Sequence, residues 1–138
     1  MTDYPWENKM AVDIGRTKEY YRSMPPEDLC DCAYCRTYMR QIRAAYPDTA
    51  EKLETLGIDI EKPFETMPLV PGNDGFIDFI GSQYVVFGRP DQEALDAVHA
   101  AGMQIAESHP VTGITEDHFV IETGEIRLKR NCIDEQEH

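Results

Sequence analysis

The chain is poor in positive charge. Across 138 residues, 13 Lys and Arg stand against 26 Asp and Glu, a formal net charge of −13. A surface of that sign repels phosphate backbones and anionic lipid headgroups, because binding to either rests on clustered Lys and Arg. Nucleic acid and membrane are therefore not expected partners. Long apolar runs are missing too: stretches such as "YVVF" at 84–87 have the length of a core strand, not of a membrane span. The opening "MTDYPWENKMAVDIG" has no basic region followed by an apolar one, so no targeting segment is visible and a cytoplasmic location is expected. The signatures G-x-G-x-x-G, G-x4-G-K-[ST], G-x-S-x-G and H-E-x-x-H are all absent, which leaves nucleotide binding, nucleophile-elbow hydrolysis and zincin proteolysis without their usual marks. Four cysteines in a reducing compartment do not make a disulfide framework.

What is present suits one domain, 1–138, with 41% apolar residues including seven Tyr and five Phe to fill a core. Residues 1–57 read as mainly helical. "TKEYYR" at 17–22 can form a short helix, and Ser23 with Pro25 and Pro26 stands where a helix start tolerates proline. Cys35, Tyr38, Met39, Ile42, Ala45 and Tyr46 follow the i, i+3, i+4, i+7 rhythm of a core-facing helix that Pro47 should stop. Asp48 and Glu51 resemble a capping box opening a further helix over "TAEKLETL", and Gly57 supplies its end. Residues 58–75, with Pro63, Pro68 and Pro71, read as an extended linker. From 76 to 130 strands dominate. "FIDFIGSQYVVFG" reads as a hairpin with Gly81-Ser82 in the turn, followed by a helix over "PDQEALDAVHAAG" and strands "MQIAE", "HFVIE" and "IRLKR". Residues 131–138 form an acidic tail. The expected class is α+β, with N-terminal helices packed on an antiparallel sheet of about five strands.

Two constellations carry chemistry. Cys30, Cys32 and Cys35 fall within "CDCAYC" at the head of the core-facing helix. Closely spaced thiols can converge on one tetrahedral metal, and a helix N-terminus favours thiolate over thiol. Zinc is the metal such soft ligands would take. A fourth ligand would have to come from Cys132 or a distant His. The alternatives are a redox pair at Cys32 and Cys35, or small apolar side chains, since Cys35 lies on the apolar stripe. The second constellation is "AESHPVTGITEDHFVIE", which supplies Glu107, His109, Asp117, His118 and Glu122. Two histidines and a carboxylate suit a divalent metal or a general acid/base pair if the flanking strands meet; against this, alternation along "DHFVIE" puts His118 on the wetter face. Arg36, Arg40 and Arg43 would line one helical stripe, whose ordinary fate is to pair with nearby Glu.

"DLCDCAYCRTYMRQIRAAYP", "LGIDIEKPFE" and "SHPVTGITEDHFVIE" resemble a group of small bacterial proteins of unknown function, and the resemblance spans most of 28–128. It implies no activity and no catalytic residues. Two functions are thus expected from the residues. The first is a non-catalytic domain that binds a protein or small ligand, with the cysteines structural or zinc-binding. The second is a small metal-dependent or thiol enzyme that uses the cysteine cluster or the His109/His118 pair.

Overall fold

The computed structural model describes residues 12–25, 32–69 and 74–129. The element order is α1 (Ile14–Arg22), α2 (Ala33–Ala45), α3 (Pro47–Glu54), β1 (Glu65–Pro68), β2 (Phe76–Phe87), α4 (Gln92–Ala100), β3 (Met103–Ile105), β4 (His118–Thr123) and β5 (Ile126–Lys129). These are the expected α+β elements: helices and a five-stranded sheet whose neighbouring strands all run antiparallel. The path is β1-β2-β4-β3, with β5 joined to β2.

Each helix begins for a local reason. Asp13 caps α1 by accepting from Arg16 N, and Asp91 caps α4 by accepting from Ala94 N. Ser23 does not start a helix: its N–H donates to Glu19 O at 3.0 Å and closes α1 instead, while the rest of that expected start falls outside the described residues. Pro47 does stop α2, with Tyr46 as the C-cap, but it also occupies the first turn of α3. The expected capping box is displaced accordingly. Asp48 lies inside the first turn of α3, Tyr46 is the N-cap, and no side chain makes the capping bond. Gly57 then turns the chain at φ +88°, and a Cβ there would sit 2.6 Å from Ile14 O, so the close approach of α1 demands glycine.

The 58–75 stretch is not purely a linker. Ile58 and Ile60 are buried in the core, and 65–68 form the edge strand β1.

The hairpin expected over 76–87 is likewise corrected: β2 is one twelve-residue strand. Its inward set changes parity midway. Ile77 and Phe79 face the main core in the first part, Ser82, Tyr84 and Val86 in the second. On the β1 side the ladder slips by one residue, pairing Thr66 with Ser82 but Pro68 with Phe79. On the other side β4 and β5 lie end to end along β2, and Gln83↔Glu122 and Phe79↔Ile126 preserve one offset, so that strand changes parity at the same level, across Gly124 and Glu125. Gly81 therefore marks a kink and not a turn. A Cβ on it would stand 2.8 Å from Thr123 O.

Two cores result. The larger lies between the sheet and α2, α3 and α4, around Tyr38, Ile42, Leu53, Phe79, Tyr84, Val98 and Ile121. Val85, Phe87, Ala106 and Val120 form a smaller one on the other face, under Tyr20, Phe64 and Ile114.

Among the described residues no strand pairs with the β1 side of β2 above Gln83; a single antiparallel bridge joins Val12 to Gly88, and α1 with its N-cap covers the rest. Tyr21 Oη accepts from Val85 N at 2.9 Å and donates to Val85 O at 2.8 Å. Thr17 Oγ1 accepts from Phe87 N at 2.9 Å, and Asp13 N donates to Phe87 O at 2.9 Å. The strand edge is thereby closed by the Tyr21 and Thr17 side chains of α1 and by the backbone N–H of its N-cap, Asp13. Burial pushes the Tyr21 hydroxyl well above its usual pKa.

Candidate functional site

The α2 stripe delivers Tyr38 and Ile42, both fully buried, to the inner face of β2, whereas Met39 is only half-buried. Tyr38 packs edge-on against Phe79, with ring centroids 5.4 Å apart. Its hydroxyl lies 2.6 Å from both Ser82 Oγ and Tyr84 Oη. Tyr84 Oη donates to Ile60 O at 2.7 Å, which uses its only proton. Tyr38 must then donate to Tyr84, and Ser82 to Tyr38. Thr123 Oγ1 accepts from Ser82 N at 2.9 Å and donates to Gly124 O at 2.8 Å. The chain Ser82→Tyr38→Tyr84→Ile60 thus runs one way with each contact supplied by one hydrogen, the condition under which a buried polar network rigidifies a core. Burial raises the Tyr38 pKa to about 12 and pushes Tyr84 well above the usual value, so both remain neutral donors.

Beside this network the sheet and helices leave a cleft of about 170 Å³. Its walls are Ile42, Ile60, Met103 and Ile126, all buried. At the mouth stand Tyr46 and Thr49 from the α2–α3 junction, Gly102 after α4, and the exposed Glu125 between β4 and β5. Two polar ties hold the mouth. Tyr46 Oη accepts from Arg127 N at 3.1 Å, and Lys52 Nζ donates to Ala100 O at 3.0 Å. Thr123 and Ile60 belong to both the cleft and the hydroxyl network. The arrangement is a small, mostly apolar, preformed recess with a few polar groups at its opening.

Sequence reading missed this cleft. Its residues come from α2 and the start of α3, from Ile60 ahead of β1, from the turn that leads from α4 into β3 and from the β4–β5 junction, and the only local hint was the apolar stripe ending at Tyr46.

Of the residues singled out in sequence, Cys32 and Cys35 are brought together at the start of α2. Cys32 is the N-cap, its Sγ accepting from Cys35 N at 3.4 Å, and Cys35 Sγ lies 3.4 Å from Thr66 Oγ1 on β1. Cys30 and Cys132 lie outside the described residues. The histidines serve their own loop. His118, half-buried, donates from Nδ1 to Glu116 O at 2.8 Å, which leaves Nε2 to accept from Thr112 Oγ1 at 2.8 Å in the neutral ring. His109 Nδ1 donates to Pro110 O at 2.8 Å, and its ring stands edge-on to Phe64. Glu122 accepts from Gln83 Nε2 at 2.8 Å, while Glu107 and Asp117 are exposed. Among the described residues no three His, Cys, Asp or Glu gather to hold a metal ion. In the arginine stripe, Arg43 meets Glu54 at 2.8 Å, Asp59 at 2.9 Å and Glu61 at 2.7 Å, the expected pairing with nearby carboxylates.

Among the described residues no helix is long and apolar enough to cross a membrane. Comparison with protein-family models, with characterised proteins and with solved structures finds no match.

Proposed function

We propose that this chain is a non-catalytic, cytoplasmic domain that binds a small ligand in the cleft between α2, α3 and the β4–β5 junction, without nucleic acid. The observation that carries this reading is the cleft itself: about 170 Å³ with walls of buried Ile and Met, backed by a hydroxyl network that fixes its geometry before any ligand arrives. A preformed recess costs a ligand little ordering. Its volume is close to that of a cavity of about 150 Å³ known to accept benzene, so the ligand has a body of roughly six to eight heavy atoms.

In this reading the thiols hold structure. Cys32 caps α2 and Cys35 ties it to the edge strand. Zinc on Cys30, Cys32 and Cys35 would add its binding free energy to folding, and zinc retained at one equivalent against dilute chelator is the readout.

Thermal denaturation with a panel of neutral compounds of that size tests the cleft, because a ligand that binds only the folded state raises the midpoint with concentration. At least one compound should raise the midpoint of the wild type and fail to do so in Thr49→Trp, which puts an indole at the mouth. A panel without effect, or an effect retained in Thr49→Trp, contradicts the reading.

A further inference from the structure

We infer that the cleft selects small apolar amines, with the ammonium group at the mouth beside Glu125 and the hydrocarbon body against Ile42, Ile60, Met103 and Ile126; this rests on the ligand-binding reading above. The walls supply no buried charge, so they discriminate by size and apolarity alone. Chemical class is decided at the opening. The carboxylate there is Glu125, exposed on the two-residue β4–β5 connection, and among the described residues no Lys or Arg forms an ion pair with it. Lys52, the cation on the neighbouring helix, is held by Ala100 O and keeps its positive charge, which the carboxylates around it outnumber. Asp48 and Glu51 are exposed on the same helix, and the whole chain carries −13. That field concentrates cations at the surface and repels carboxylates and phosphates. A cation that left its charge in water while burying its body would meet neither the desolvation cost of a buried ion nor an unpaired acceptor.

Three compounds that share one ring and differ only in the head group separate the possibilities: benzylamine, benzyl alcohol and benzoate, each titrated calorimetrically into the whole chain at low salt. Benzylamine should bind about two- to fivefold more tightly than benzyl alcohol, the worth of one exposed charge pair, and the margin should shrink as salt rises. Benzoate should bind most weakly. Glu125→Gln should remove the amine's advantage and leave benzyl alcohol unaffected, which a merely structural role of Glu125 would not do. Benzyl alcohol or benzoate binding as tightly as benzylamine, or an amine advantage that survives Glu125→Gln, overturns the amine proposal and leaves the cleft a ligand site. Failure of all three to bind overturns the ligand-binding reading and the amine proposal together.

Discussion

The two ends of β2 are built for different surroundings. From Phe76 to Phe79 burial alternates, with Ile77 and Phe79 inward and Phe76 and Asp78 half-exposed, and Ile80 follows at 54% exposure. From Gly81 to Phe87 every residue is buried. One end is a one-sided antiparallel strand; the other is covered on both faces, by α2 and α3 below and by α1 with the 106–117 segment above. The difference shows where the chain spends its rigidity. The doubly covered end carries Ser82 and Tyr84 of the hydroxyl network, and the network backs the cleft.

That comparison can be broken most forcefully at the outer face, where Phe87 and Ile80 are both large apolar residues of one strand. Phe87→Ala should cost about 3–5 kcal/mol, the range for a buried ring, whereas Ile80→Ala should cost less than about 0.5 kcal/mol, as for an exposed site. Equal losses by chemical denaturation would show that the outer cover is not a core. Next comes the closed edge. Tyr21→Phe removes the hydroxyl that serves both Val85 N and Val85 O and should cost roughly 2–3 kcal/mol, since two buried backbone groups lose their partner. A loss of only a few tenths would mean that water replaces the hydroxyl.

At the kink, Gly81→Ala forces a Cβ towards Thr123 O and should cost roughly 1–3 kcal/mol, while Gly124→Ala, with open space around it, should cost less. The smallest effect belongs to the outer cover's ionic tie. Arg16 lies over the Phe87 ring at 4.2 Å and pairs with Glu116 at 2.7 Å. The hydrogen bond from Arg16 holds the Glu116 carboxyl below the usual range. A carboxyl lowered in the folded state contributes stability above its unfolded pKa and loses it as pH falls through the folded value. Melting curves of wild type and Glu116→Gln should therefore converge as pH falls from the ordinary glutamate range through the lowered folded value; a gap unchanged by pH would assign the effect to packing.

Much of the frame was legible because periodicity reports burial on one side. The α2 stripe, the strands near 103–105, 118–123 and 126–129, and the helix closed by Gly102 all follow from it. The failures have separate physical causes. "FIDFIGSQYVVF" looks like a hairpin because its first part alternates and its second does not, and a Gly-Ser pair sits between; the second part stops alternating because it is buried on both faces. β1 was hidden by Pro63 and Pro68, which an edge strand tolerates. The cysteine pair was legible because its spacing is local, and Cys32 does cap α2. The cleft was not, because its walls come from four separate segments and no short-range pattern joins Ile42 to Met103 or Ile126.

The claim that this recess is the functional surface is tested most directly by amide chemical shifts of the isotopically labelled chain during titration with benzylamine. If the cleft is the site, saturable shifts will concentrate at Ala101, Gly102, Met103, Gly124, Glu125 and Ile126, with Thr49 on the facing helix, while Cys32, Cys35, His109 and His118 remain still. Shifts that do not saturate, or that cluster at the start of α2 or along 107–118, would contradict it.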